Sequence, residues 1–391
     1  MASHLKRLIS PLVQWRYEPW VKTRFKTYLP ATLWQGQAIK TGQPVSIVYA
    51  GEDTAIAAFW VNALMAENKQ KTELGKLPVH SLPSILKKYP NTSLLFTEEG
   101  PLTPLFPFLH RGFSTPYWVQ MEIDIAKPFE QMSGNEKEGF ADVERRIRSN
   151  KLSCEFTDDK KHFEVFFHSM HTPFVKNRHE EESFFMSLER AQKIFEKAEL
   201  CRIKKDGEFI GGLLIQTGRR ATLRSIGLKD GNLEYMKYGT LGALYYFAIK
   251  RLQEKGYKVV DIGGSDPILN GGLTRFKSFL KAKVTPNTYL PLRFLRLIPV
   301  KLNSALLETL GNLQILYHPK YYCPRRAVFL NPSELGNQKI VREKLTSKSP
   351  RGMSGTEVYI LGDYEPADAA WIKNEKSVIS LQSINSKLLY C

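Results

Sequence analysis

The chain is poor in cysteine, in long apolar runs and in acidic residues. Cysteine occurs at Cys154, Cys201, Cys323 and Cys391 only, with no C-x-x-C pair among 391 residues. No disulfide framework is encoded by such spacing, and a reducing cytoplasm is the expected setting. No stretch reaches the ~20 uninterrupted apolar residues of a spanning helix. The N-terminal MASHLKRLISPLVQWRYEPW is cut by charges before a secretory core can form. Acids number 39 against 56 Lys and Arg, a net charge of +17 at pH 7. A field of this sign attracts nucleic acid, anionic lipid or phosphorylated small molecules, or serves solubility alone. It says nothing of fold.

What is present is a core. Hydrophobic residues make up 42% and aromatics 12% of the chain, enough for two ordinary domains or one with a long extension. Residues 1–40 form a basic aromatic arm, with Trp15, Trp20, Phe25 and Tyr28 among lysines and arginines. It suits either a membrane surface or a packed arm, and Pro11, Pro19 and Pro30 favour the arm. Residues 41–128 alternate strand and helix: PVSIVYA, a turn at Gly51, a helix capped near Asp53, then helix and strand again in SLPSILKKYPNTSLLFTEEG.

From 129 to 330 the pattern is more regular. Charged helices with apolar residues at helical spacing precede a hairpin turned at Asp206-Gly207, a further strand, and the helix TLGALYYFAIKRLQEKG. A basic, apolar amphipathic stretch then runs from 285 towards 322. Residues 331–352 read as a polar linker, and GTEVYILGDYEPADAAWIK is a terminal strand and helix that weakly echoes 44–62.

The segment VVDIGGSDPILNGGLTRFKSFLKAKV, residues 259–284, carries the chemistry. A strand ending in acid and glycine suits a dinucleotide or methyltransferase corner, which needs a second acid about 20 residues on. Here FLKAKVTPNTYLPLRFLRLIPV holds no Asp or Glu, and Asp266-Pro267 replaces the third glycine. Both features count against a Rossmann-type site. His168, His171 and His179 offer an H-x-x-H pair without the carboxylates of a zinc site, so no metal is expected.

The order of parts resembles the GNAT acyltransferase fold, most closely its Fem-type (FemAB-like) members and their acetyltransferase-like relatives. The likeness rests on Asn270-Gly271-Gly272, on Phe276-Lys277-Ser278-Phe279, on the loop Lys237-Tyr238-Gly239-Thr240-Leu241-Gly242, and on MHTPFVKNRHE upstream. It covers about residues 140 to 284. It implies an α/β (mixed α+β) fold of two GNAT-like halves with mixed central sheets. The implied activity moves an acetyl, other acyl or aminoacyl group to an amine. Donors of such enzymes carry phosphates: acetyl-coenzyme A, another acyl-coenzyme A, or an aminoacyl-tRNA. K-Y-G-T-L-G is one residue wide of the usual coenzyme A loop, although a glycine-flanked helix start still presents bare N–H groups to an anion.

Roles follow from the resemblance. Ser225, Ile226 and Gly227 lie on the strand whose backbone would face the donor, with Gly227 as its splay point. Lys237, Gly239, Thr240, Leu241 and Gly242 would hold donor phosphate. Asp266, then Asp261, Glu234 and Tyr238, are the candidates for moving the amine proton. Arg178, His179, Asn270, Arg275 and Lys277 are expected at the substrate. Arg275 and Lys277 stand two apart on a helix, so only one can face the pocket. The expected partners are an amine acceptor, a small molecule or cell-envelope precursor, with tRNA and the inner membrane face as further contacts. A non-catalytic nucleic-acid-binding protein and a degenerate domain remain as alternatives.

Overall fold

The computed structural model describes residues 27–99, 105–132, 139–179, 187–285, 294–311, 313–317, 324–346, 350–375 and 378–384. Most of the basic arm, with Trp15, Trp20 and Phe25, lies outside these residues. In chain order come β1 (Tyr28–Gln37), β2 (Pro44–Ala50), α1 (Thr54–Leu64), β3 (Gln70–Pro78), α2 (Leu82–Lys88), β4 (Leu94–Glu98) and β5 (Phe113–Pro116). Then follow β6 (Val119–Asp124), α3 (Phe129–Met132), α4 (Phe140–Ser149), β7 (Ser153–Thr157) and α5 (Lys160–Phe166). A π turn (Phe167–His171) joins α5 to α6 (Thr172–His179), and α7 (Leu188–Phe195), β8 (Ala198–Lys205), β9 (Glu208–Gln216) and β10 (Ala221–Leu228) come next. After these are α8 (Thr240–Glu254), β11 (Val259–Ser265), α9 (Gly272–Phe279), β12 (Lys283–Thr285) and β13 (Phe294–Pro299). The chain closes with α10 (Ser304–Gly311), β14 (Gln314–Tyr317), β15 (Arg325–Leu330), α11 (Gln338–Thr346), β16 (Thr356–Leu361), α12 (Pro366–Ala369) and β17 (Val378–Ile384).

Local chemistry accounts for many of these elements. Asp53 caps α1 by accepting from the Ile56 N–H at 3.1 Å. In α4, Phe140, Val143 and Ile147 recur at helical spacing and are buried, while Arg145 and Arg148 face water. Asp206 and Gly207 both take positive φ, 49° and 87°, as a two-residue turn between β8 and β9 requires.

Two mixed sheets form the body. The first has the order β3-β1-β2-β4-β13-β5 and the second β12-β6-β11-β10-β9-β8-β7. Each is built around one parallel pair, β2 with β4 and β10 with β11. Each pair is extended by an antiparallel strand from the other side of the sequence. β6, which precedes most of the second half, pairs with β11 and β12; β13, which follows it, pairs with β4 and β5. The halves therefore exchange a strand, which the sequence boundary near residue 128 does not anticipate.

The C-terminal region also differs from expectation. The stretch after 285 supplies β13, α10 and β14 rather than one amphipathic element. The segment read as a linker contains α11, with Val341 and Leu345 buried. β14 to β17 make a third, four-stranded sheet. Phe329 and Tyr359 of that sheet pack on Phe113 of β5, ring centroids 4.9 and 5.7 Å away. No helix among the described residues is long and apolar enough to cross a membrane.

Candidate active site

β10 and β11 begin as neighbours and then part. Their register holds only at Ala221 with Val260 and Thr222 with Asp261, although the strands run on to Leu228 and Ser265. Each partner is displaced by an irregularity. β10 shifts register against β9 between Leu223 and Ile226, and β11 shifts against β6 between Asp261 and Gly264. One extra residue bends and twists a strand at such a place, and here the bends open a wedge.

The bend in β11 is held from two sides. The Asp261 carboxylate accepts from the Gly263 N–H at 2.8 Å and from the Gln120 side-chain amide. The Lys277 ammonium reaches from α9 and donates to the carbonyls of Gly264 and Gly263, at 2.7 and 3.1 Å. Gly263 takes φ 79°, a conformation that glycine adopts without strain.

On the β10 side the π turn lies directly against the backbone. A Cβ on Gly227 would stand 2.5 Å from the His171 N, so only glycine fits. The bulge itself sits at Arg224-Ser225, not at Gly227. The His171 Nδ1 is 2.8 Å from the Ile226 carbonyl oxygen. A carbonyl only accepts, which assigns the ring proton to Nδ1 and leaves a lone pair on Nε2. Burial holds the imidazole pKa below its ordinary value, against the carbonyl's opposing pull.

Beside the wedge is a cavity of about 440 Å³. Ile226 of β10, Leu241, Gly242 and Tyr245 of α8, and Leu273, Phe276 and Phe279 of α9 form most of its wall. Asp142, Val143 and Arg146 of α4 close it. Gly239 and Gly242 let α4 come this near, for Cβ atoms there would lie 3.1 Å from the Arg146 Cβ and 3.0 Å from a Val143 methyl. Burial would raise the Asp142 carboxyl, but hydrogen bonds from Arg145 and Arg146 keep it below its ordinary pKa. α8 starts at Gly239 with φ 81° and no side-chain cap. Its first N–H groups have no acceptor within the helix and carry the positive end of its dipole.

The residues singled out in the sequence fall into three groups. Ile226, Gly239, Leu241 and Gly242 line the cavity. Ser225 and Gly227 are buried beside it in β10, and the Thr240 hydroxyl donates to the Tyr235 carbonyl at 2.6 Å. A second group is buried but turned elsewhere. Asp261, a candidate for moving the amine proton, is 1% exposed and sits within the sheet. Asp266 is 8% exposed; its carboxylate accepts from the Ile268 N–H at 3.1 Å, and burial raises its pKa. Lys277 faces the β11 carbonyls and not the cavity.

The third group lies on the surface. Glu234 and Lys237 pair with each other, the Tyr238 ring lies 4.8 Å from the Lys205 ammonium, and Asn270 and Arg275 are exposed. Arg178 and His179 end α6, and their side chains lie outside what is described. Sequence reasoning missed Asp142, Val143 and Arg146, whose helix is distant along the chain and carries no motif. It set His171 aside with zinc; among the described residues no group of three His, Cys, Asp or Glu could hold a metal.

No family model matches the chain, and no curated protein does. Solved structures share some likeness. L-PGS from Bacillus licheniformis is 11% identical, with 70% of this chain and 87% of that one covered at a TM-score of 0.35. The C-terminal domain of a putative lysylphosphatidylglycerol synthetase from Agrobacterium fabrum is 12% identical, covering 68% and 80% at 0.34. FemX is 10% identical, covering 64% and 81% at 0.35. Likeness at this level carries no weight for activity.

Proposed function

We propose that the second half is an N-acyltransferase that takes an acyl group from coenzyme A and passes it to an amine. The observation that carries this reading is the parting of β10 from β11 beside a cavity and an uncapped helix start. Strand parting leaves backbone groups of β10 without a β11 partner, and such groups can bind a thioester and the oxyanion formed from it. The N–H groups at the start of α8 suit the donor's phosphates. In the reaction the amine nitrogen bonds to the acyl carbon, the carbon–sulfur bond breaks, and the thiol leaves with the proton that the nitrogen loses. His171, neutral and with Nε2 unprotonated, supplies a base next to the bulge. This supports His171 over Asp261 and Asp266, whose carboxylates are engaged by backbone N–H groups.

An aminoacyl-tRNA is the other donor compatible with the net charge. A second reading, polyanion binding without catalysis, is favoured by one feature: a concavity of about 720 Å³ bordered by Arg219, Arg220, Arg224 and Lys258. Thermal unfolding with coenzyme A, acetyl-coenzyme A or tRNA separates the three. A ligand at a hundred times its Kd adds about 2.7 kcal/mol. A rise in Tm with coenzyme A supports the proposal. A rise with tRNA alone replaces it, and a steep salt dependence that Arg219→Glu abolishes selects polyanion binding.

A further inference from the structure

The cavity beside the wedge has a composition that a donor's polar parts do not explain. Most of its side-chain wall is apolar, from Val143, Ile226, Leu241, Leu273, Phe276 and Phe279; the α8 start at Gly239 borders it, and its charged pair, Asp142 and Arg146, is hydrogen-bonded to itself at 2.9 Å. The pantetheine arm of coenzyme A carries two amides, and an amide buried without a hydrogen-bond partner is strongly disfavoured. That arm belongs against the unzipped edge of β10, where backbone groups can meet it. An acetyl group is far too small to fill about 440 Å³. A methylene takes about as much room as a water, roughly 30 Å³, so the space matches a chain on the order of a dozen carbons.

Resting on the acyltransferase reading, we propose that the transferred group is a medium- to long-chain acyl chain, lodged in this cavity between α4, α8 and α9. The chain enters past Ile226 and ends among Leu273, Phe276 and Phe279. Each methylene moved from water into the cavity tightens binding by up to about fourfold. Discrimination against short donors then comes from burial alone, with no polar contact to the chain.

The test measures Kd by calorimetry for coenzyme A, acetyl-coenzyme A, dodecanoyl-coenzyme A and dodecanoate, with wild type and Leu273→Trp, which narrows the cavity. Thermal unfolding without ligand verifies that the variant folds; Leu273→Phe is the milder substitute if it does not. The expected result is dodecanoyl-coenzyme A at least about a hundredfold tighter than acetyl-coenzyme A, with that ratio collapsing in the variant. If the two thioesters bind within threefold of each other, the chain proposal is overturned while the acyltransferase reading survives. If no thioester binds but dodecanoate does, and the variant loses it, the cavity proposal stands and the coenzyme A reading falls. If nothing binds, both fall.

Discussion

The two halves carry one plan and finish it differently. In the first, β2 stays paired with β4 to its last residue, Ile47 with Leu94 through Ala50 with Thr97. In the second, β10 leaves β11 after two pairs. The helix that follows each parallel strand differs in the same sense. At the start of α1, the Glu98 carboxylate from the end of β4 accepts from the Glu52 and Asp53 N–H groups, both at 2.8 Å, and from the Tyr49 hydroxyl at 3.0 Å. Burial and that carboxylate push the Tyr49 pKa up. At the start of α8 no side chain caps. One half has filled its anion position from within, and the other has left it open. A site can thus be distinguished from its closed counterpart by strand pairing and helix capping, without any catalytic motif.

Three substitutions probe that contrast, in falling order of effect. Lys277→Met removes the buried ammonium that holds the β11 bend and leaves the Gly263 and Gly264 carbonyls short of a donor. The expected loss is about 3 kcal/mol in urea unfolding, with weaker coenzyme A binding; an unchanged protein would show that the bend is held without Lys277. Glu98→Ala strips the internal anion from α1 and should cost about 1 kcal/mol. Coenzyme A binding should be unaffected in that variant, and a loss there would mean the halves are not separate.

The smallest effect is in pH. Burial lowers the His171 pKa in the fold, whereas in the unfolded chain it protonates at about 6.5. The unfolded state therefore binds more protons as pH falls through that value, and stability declines with it. His171→Gln retains a donor for the Ile226 carbonyl and should reduce the drop in Tm between pH 7.5 and 5.5, as read by calorimetry. A drop of the same size in the variant would assign the titration to another group.

What was legible in the sequence was local. The Asp53 cap and the Asp206-Gly207 turn each depend on neighbours along the chain, and each is where the pattern places it. The order of parts also announced a mixed α/β protein of two related halves. The strand exchange was not legible, because nothing in β6 names its partner and the residues of β13 sit within a stretch that reads as amphipathic. Asp261 shows the same limit: an acid followed by glycines reads as a strand end, yet Gln120 of a distant strand and the Gly263 N–H fix it inside the sheet. Lys277 and Arg275 do point apart as spacing required, but the buried one meets backbone carbonyls. Arg146 reaches the site only because two glycines on α8 admit α4.

Hydrogen exchange tests the open wedge most directly. Amides of residues 223–242 and of residues 45–56 are followed by mass spectrometry with and without saturating coenzyme A. The account predicts that coenzyme A slows exchange in 223–242 and leaves 45–56 unchanged. Equal protection in both segments, or none in 223–242 while coenzyme A is bound, would contradict it.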